Sequence, residues 1–403
     1  MTLKKLKNEF KELQMISKFL LKSMFKQWKN GDYQVVFWDN SVYRNGEHSP
    51  KFTLKIHRPL KFSDIKKDMS LTIAEAYMDG VIDIEGSMDE VMHSLYLQTN
   101  YEHLHKHDSA KAVQKPLKES SNISKHYDLG NDFYSIWLDE TLSYSCAYFK
   151  KDDDTLHAAQ LQKLDHTLKK LHLKQGEKLL DIGCGWGYLS IKAAQEYGAE
   201  VMGITISSEQ YKQANKRVQE LGLEDKVTIK LLNYQDLDGR LYRFDKVVSV
   251  GMFEHVGKDN LPFYFKKVKE VLKRGGMFLL HSILCCFEGK TNAWVDKYIF
   301  PGGYLPSLRE VMSVMSECDF HLLMAESLRI HYAKTLDIWR ENFNHNLDQV
   351  KRLGYDERFI RMWDLYLRTC ASAFRVGSAD LFQLLLTNSV DNTFPLTKEY
   401  IYQ

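Results

Sequence analysis

Apolar positions recur every third or fourth place at the start of the chain: Leu3, Leu6, Phe10, Leu13, Ile16, Leu20, Met24 and Trp28. That spacing predicts a helix over residues 1–30 with one apolar stripe. Shorter runs follow. Gln34–Trp38 and Phe52–Ile56 read as strands flanking the turn Asn45-Gly46, and Pro59 ends the second run. A helix is predicted near Ile73–Met78 and another from about Met88. Residues 1–97 therefore read as a small α+β domain. Residues 98–122 are poor in apolar groups and contain Pro116, Ser120 and Ser121, which predicts a linker.

From Leu156 the pattern becomes that of an α/β fold. Apolar runs at Lys178–Ile182, Glu200–Ile204, Val227–Leu232, Phe244–Val250 and Met277–Ile283 predict five strands. Stretches of helical period separate them: Ala158–Leu171, Tyr188–Tyr197, Ser208–Leu221 and Asn260–Leu272. Such alternation implies a parallel sheet with right-handed crossovers, whose ligands sit at the carboxyl ends of the strands. Beyond residue 285 the spacing predicts helices at Leu308–Cys318, Leu336–Arg352 and Glu357–Val376. Asp319–Ile330 has room for a strand. The consecutive apolar residues of Ala379–Thr387 read as a last helix. The second domain is thus expected to span 123–403.

The first of these strands runs into KLLDIGCGWGY. Gly183, Gly185 and Gly187 follow Asp181 at alternate positions, and a helix comes next. Glycines are needed where backbone meets a ligand closely or takes positive φ, and the free N–H groups of the helix start suit a polar ligand. The G-x-G-x-G spacing differs from the G-x-G-x-x-G of dinucleotide sites and points to S-adenosylmethionine. Many enzymes using that cofactor place an acid after the second strand, for the ribose. Here the place reads Gly203-Ile204-Thr205, so Thr205 with Gln210 is the candidate ribose site. Tyr234 and Gln235, after the third strand, are candidates for the adenine.

Composition refines this picture. With 403 residues the chain has room for two or three domains, and 44% hydrophobic content suits a large core. A net charge of +2 implies no polyanionic partner such as nucleic acid. The charge is uneven, however: eight lysines against Glu9 and Glu12 decorate the first helix. Two readings fit: a helix lying on an anionic bilayer with snorkelling lysines, or one packed on its own domain. Six cysteines form neither a zinc nor a disulfide pattern, which suits a reducing cytoplasm. No apolar run reaches the roughly 18 residues of a membrane span, and no signal peptide is expected. Membrane contact, if present, is then peripheral. His103, His105 and His107 alternate in the polar linker with no fixed geometry, so no metal is expected.

Several other residues carry chemistry. Residues 123–150 are dense in aromatics and read either as core packing or as a lid over a ligand. Glu254 and His255 follow the fourth strand, and His281 ends the fifth. An acid and a histidine at adjacent strand ends can hold an anion or shuttle a proton. Cys146 shows no feature that would activate its thiol.

Taken in order, SKHYDLGNDFYSIWLDETLSYSCAYF, LLDIGCGWG, GITISSEQ, SVGMFEHVG, YIFPGGYLPS and HYAKTLDIWRENF are similar to the cyclopropane-fatty-acyl-phospholipid synthase family, relatives of the mycolic acid cyclopropane synthases. The resemblance runs from about Leu71 to the end of the chain. It implies a class I S-adenosylmethionine-dependent methyltransferase fold, Rossmann-like, behind a smaller lipid-binding domain. It implies attack of a cis double bond of a membrane phospholipid acyl chain on the sulfonium methyl. The resulting carbocation would be deprotonated by bicarbonate and close to a cyclopropane. By the same resemblance the bicarbonate cage comprises Cys146, Glu254, His281, the backbone at Ile283, and Tyr332, while Tyr144 lies near the sulfonium. It also implies a homodimer at the cytoplasmic face of a membrane. A methyl or methylene branch in place of the ring remains the alternative.

Overall fold

The computed structural model describes the backbone of residues 3–105, 129–289, 291–392 and 394–402. Within these ranges it describes the side chains other than those of 3–13, 62, 66 and 98–105. The side chains of Lys4, Lys5, Lys7 and Lys11, those of Leu3, Leu6, Phe10 and Leu13, those of the three alternating histidines, and most of the expected linker lie outside the described residues.

The chain folds into two compact units. The first contains the described residues of Met1–Gln114 together with Asn292–Ile299 and Leu347–Val376. It is therefore discontinuous in sequence, unlike the contiguous division at 97 and 122. Its sheet has the order β2-β1-β3-β4, built from β1 (Tyr33–Val36), β2 (Val42–Asn45), β3 (Phe52–Ile56) and β4 (Ile82–Gly86). β1 and β3 are parallel; the outer pairs are antiparallel. β1 and β3 alternate buried and half-buried residues, so one sheet face carries the core.

Helix α1 (Leu3–Gln27) covers that core with Ser17, Leu21 and Phe25. The Tyr33 hydroxyl shares its one proton between the carbonyls of Phe25 and Trp28, each at 2.8 Å, and its ring stacks on Phe52. Burial raises the Tyr33 pKa, so the hydroxyl remains a donor. The helix has a second apolar face. Met15, Ile16 and Phe19 are 72%, 54% and 72% exposed. The helix is thus packed on its own domain through one face and leaves a second apolar face exposed.

The later segments of the first unit are tied in by polar contacts. Arg361, from the helix Glu357–Val376, donates to the carbonyls of Tyr77 and Ile82 and to Asp83, at 2.6–2.9 Å. Its guanidinium lies 4.2 Å from the Tyr77 ring centroid. Ser372 and Arg375 both reach Asp89. The helix Met88–His105 runs on past residue 97, where the linker was expected to begin.

The second unit holds a seven-stranded sheet of order β10-β11-β9-β8-β5-β6-β7. Its strands are β5 (Lys178–Ile182), β6 (Glu200–Thr205), β7 (Val227–Leu231), β8 (Phe244–Val250), β9 (Leu272–Cys285), β10 (Phe320–Ser327) and β11 (Ala379–Asn388). The five strands read from the sequence are parallel to one another, within a residue or two except for β9, which is longer and absorbs Gly275-Gly276. The expected last helix is instead β11, antiparallel to both its neighbours. The cause is double-sided burial. Leu384 and Leu386 enter one core and Leu385 the core on the opposite face, so the strand shows no alternation to read. The segment after residue 319 contains strand β10, then a helix, Arg329–His345, that begins before the expected Leu336.

If Leu21 and Phe25 anchor the first helix, Leu21→Ala or Phe25→Ala lowers stability by about 2–5 kcal/mol. Phe19→Ser on the opposite face stays within about 0.5 kcal/mol of the wild type. Urea unfolding followed by tryptophan fluorescence measures both; equal losses would mean that Phe19 also packs.

Candidate active site

The strand order reverses between β5 and β8, and the crevice at that point opens over the glycine turn. Gly183, Gly185 and Gly187 all take positive φ (80°, 54° and 83°), but for different reasons. A Cβ on Gly183 would stand 2.8 Å from Cβ of Met252, and one on Gly187 would stand 3.0 Å from Cβ of Ala214. A Cβ on Gly185 would meet no protein atom within 4 Å. Gly185 is thus the place where bare backbone faces cleft space. Gly187 caps the helix Tyr188–Tyr197 without a side-chain bond, leaving its first N–H groups for a ligand.

The cleft, counted together with the open solvent at its mouth, encloses about 1180 Å³. Of the sequence candidates, Tyr144, Asp181, Gly183, Gly185, Thr205, Gln210 and Tyr234 line it. Gly187 packs behind the turn. Gln235 lies outside the wall, and Asn233 takes the lining position beside Tyr234. Thr205 Oγ1 accepts from Ser207 N–H at 3.2 Å and donates to Gln210 Oε1 at 2.8 Å. The Gln210 oxygen is thereby engaged, and its amide nitrogen is left to donate.

Sequence reasoning missed Lys163. It is 2% exposed, lines the cleft, and donates to Ser145 Oγ at 3.1 Å. Asp181 is also 2% exposed and accepts from Ser190 Oγ at 2.8 Å. Burial pushes the Asp181 carboxyl up to about 6 and the Lys163 ammonium down to about 8, each against the pull of the other charge. Lys163 stands in an ordinary amphipathic helix, and only its burial distinguishes it.

The aromatic segment forms a wall held from two sides. Gln160 Nε2 donates to the carbonyls of Ser143 and Ser145. Ala147 N–H donates to Thr335 Oγ1, Phe149 N–H to His331 Nδ1, and Asn342 Nδ2 to the Trp137 carbonyl. Tyr144 packs 5.3–5.4 Å from the rings of Tyr134, Trp137 and Trp339. Trp186 of the glycine turn joins this cluster through Tyr134 and donates to Asn131 Oδ1 at 2.8 Å.

Glu254 and His255 are neighbours that serve different places. His255 lines the cleft, and burial holds its pKa down at about 4, so it is neutral. Glu254 turns toward β9, where its Oε1 accepts from Ile283 N–H at 2.7 Å. The Ile283 N–H is therefore committed to Glu254. Glu254 Oε2 and His281 Nε2 are buried without a protein partner. Burial raises the Glu254 pKa and holds that of His281 well below the imidazole range. His281 is joined to the cleft wall by its carbonyl, which accepts from Gly251 N–H at 2.9 Å. Cys146 is fully buried; its thiol faces the carbonyls of Ala147 and Leu328, and burial drives its pKa up, which keeps it neutral. Tyr332 is buried one helical turn beyond Leu328, with its ring edge-on to Trp339. Cys146 and Tyr332 thus meet at one helix start, and Glu254, Ile283 and His281 at the β8/β9 ends. Among the described residues no cluster of His, Cys, Asp or Glu is placed to hold a metal ion.

Comparison with known proteins agrees with this architecture. A family model described as mycolic acid cyclopropane synthetase matches residues 114–384, and one described as a domain of unknown function matches residues 20–107. A probable fatty acid methyltransferase of Pseudomonas putida is 38% identical, over 92% of this chain and 96% of its own. The cyclopropane-fatty-acyl-phospholipid synthase of Escherichia coli K12 is 39% identical, over 84% and 88%. The mycolic acid cyclopropane synthase CmaA1, solved with SAH and CTAB, superposes with a TM-score of 0.63 at 34% identity, covering 68% of this chain and 99% of its own. The second unit is a class I S-adenosylmethionine-dependent methyltransferase fold.

The buried Asp181 gives a pH signature. Its folded pKa of about 6 lies above the ordinary 3.8, so the folded state holds a proton that the unfolded state releases between these values. Stability is lost as pH rises through that window. Asp181→Asn removes this loss, raising stability by on the order of 1–3 kcal/mol at pH ~8 and by almost nothing below pH ~4. Denaturation of both proteins at the two pH values checks it; a pH-independent difference would mean that the carboxyl stays ionised throughout.

Proposed function

The chain belongs to the mycolic acid cyclopropane synthetase family, and from that membership we propose that it adds a methylene from S-adenosylmethionine across the cis double bond of an unsaturated phospholipid acyl chain, closing a cyclopropane ring. The observation that carries this reading is the pair of buried, partnerless polar atoms, Glu254 Oε2 and His281 Nε2, just behind a cofactor cleft walled by aromatics.

S-adenosylmethionine fits the cleft: the open face at Gly185, the free helix start, and the Thr205–Gln210 pair offer the contacts its methionine and ribose parts need. Bound there, it supplies an electrophilic methyl. The protein's residues then have three tasks. The ring of Tyr144, which lines the cleft with Trp137 and Trp339 packed against it, offers a π face that favours developing positive charge. The fully buried Trp137, Phe133 and Trp339 keep water from a carbocation. Glu254 and His281 hold an anion there. Bicarbonate fits that role, since it has a hydroxyl to donate to Glu254 Oε2 and oxygens to face His281, and it supplies a base. Cys146 and Tyr332 complete the cage in this reading, with Ile283 acting through its bond to Glu254.

The substrate comes from a bilayer. Met15, Ile16 and Phe19, with Lys22 and Lys26 further along the helix, give an exposed apolar face with a basic rim for peripheral contact at the cytoplasmic leaflet. No described helix is long and apolar enough to cross a membrane. A homodimer belongs to the same proposal, and sedimentation equilibrium reads it directly. A second reading, methyl or methylene branching of the acyl chain, draws on the name of the Pseudomonas relative.

Incubation with S-adenosylmethionine and vesicles of unsaturated phospholipid, followed by mass spectrometry of the fatty acids, separates the two. Gain of CH2 with a ring is expected; a saturated methyl-branched product would establish the second reading. Glu254→Gln is expected to lower kcat by on the order of 10²-fold or more while the S-adenosylmethionine Kd stays within about twofold. Loss of cofactor binding would move Glu254 into the cofactor site. Met15→Ser combined with Phe19→Ser is expected to weaken binding to anionic vesicles at both low and high salt, because the lost part is apolar. Unchanged vesicle binding would remove this face from the membrane contact.

A further inference from the structure

His281 sits in a buried polar network whose members are far apart in sequence. On the neighbouring strand, Gln383 is its cross-strand partner. The two side chains meet, with Gln383 Nε2 3.0 Å from His281 Nδ1. On its other side, Gln383 Oε1 accepts from Lys170 Nζ at 2.6 Å, and its Nε2 donates to Thr167 Oγ1 at 3.2 Å. Lys170 also pairs with Glu326, which accepts from His166 Nε2 at 2.8 Å. Lys170 and Gln383 are each 1% exposed.

The donors and acceptors leave one arrangement. An ammonium only donates, so the atom of Gln383 facing Lys170 is its oxygen. The Thr167 hydroxyl spends its one proton on the Lys163 carbonyl at 2.8 Å, so toward Gln383 it accepts. The Gln383 nitrogen is thereby fixed from two sides, and the proton it shows to His281 Nδ1 requires a lone pair there. His281 is then the neutral tautomer with its proton on Nε2, the nitrogen that has no protein partner. The charged or titratable groups facing it are Lys163, Lys170 and His166 from the helix Leu156–Lys170, and Glu326 from β10. Three of the four are basic, and they oppose a second proton on the ring, as does burial.

We propose that Lys170 and Gln383 are positioning residues that lock His281 as a hydrogen-bond donor, presenting Nε2–H to an anion held beside Glu254 Oε2. His281 therefore does not accept the reaction's proton. A buried N–H without an acceptor is costly, so the resting site is built to attract an anion. This rests on the reading of the site as an anion cage in the cyclopropane reaction.

The test uses the full-length protein labelled with ¹⁵N-histidine, with the His281 signals assigned by their loss in His281→Gln. In the wild type, the ring is expected to stay neutral with its proton on Nε2 from about pH 5 to about pH 9, across the range in which an unperturbed histidine titrates. In Gln383→Glu the new carboxylate accepts from Nδ1–H. The ring then gains a proton on Nδ1 and titrates, and kcat falls by on the order of 10²-fold with the S-adenosylmethionine Kd within about twofold. Lys170→Met, which frees the amide to rotate, is expected to give a mixture of tautomers. A wild-type ring protonated on Nδ1, or one that titrates near neutrality, overturns the proposal. So does Gln383→Glu with an altered ring and undiminished kcat. The wild-type spectrum, once assigned, decides even if Gln383→Glu and Lys170→Met fail to fold. It also needs no turnover, so a protein that makes no lipid product would count against the cyclopropane reading while leaving the tautomer to be judged separately.

Discussion

A sheet covered on both faces leaves polar side chains almost nowhere to go except the carboxyl ends of its strands. The second unit obeys this constraint closely. Leu179, Val201, Val248 and Leu279 fill one core; Leu180, Met202, Val247 and Leu280 fill the other. The glycine turn, Thr205, Asn233 and Glu254 then collect along one edge. The polar groups that do lie within the layer, chiefly His281 and Gln383, survive there because each answers another. A polar residue placed singly in that layer would be a liability of a few kcal/mol.

Much of this was legible in the sequence because its physics is local. Parallel strands buried on both faces appear as short apolar runs, and a glycine turn between a strand and a helix announces itself by spacing. The cofactor edge could be read the same way, since strand ends follow from strand positions: Thr205 with Gln210, and Tyr234, line one cleft. What escaped depends on contacts between distant residues. β11 had no alternation because each of its sides meets apolar core. Lys163, Lys170 and Gln383 carry no local signature: Lys163 and Lys170 look like any lysine of an amphipathic helix, and Gln383 is one polar residue in an apolar run. Gln235, on the short 3₁₀ turn of Tyr234–Asp236, is not among the residues that line the cleft, while its neighbours Asn233 and Tyr234 are. The resemblance supplied Cys146 and Tyr332, which no spacing argument connects.

The first unit shows the same limit on a larger scale. Composition suggested a domain that ends before residue 100, yet the unit is completed by helices some 200–270 residues later in the chain. In α1 the buried face is not the stripe read from the sequence, of which Ile16 is exposed and Leu20 and Met24 are half-buried. Leu21 and Phe25 hold the helix to the sheet, and Met15, Ile16 and Phe19 are left to face outward.

The discontinuity and the reversed strand together dictate an order of assembly. β11 follows in sequence every strand with which it shares the sheet, yet it occupies an interior position between β9 and β10. Before it is made, the chain has already left the second unit to finish the first with Leu347–Val376. During synthesis, then, β9 must wait with an open edge, and His281 must wait for Gln383, until Ala379–Asn388 has left the ribosome. Long-range pairings of this kind form slowly and expose an edge that can associate with other chains. The residue that fixes the chemistry of the site is delivered by the last strand to emerge, so the nascent protein acquires its reactive form only once both units are complete.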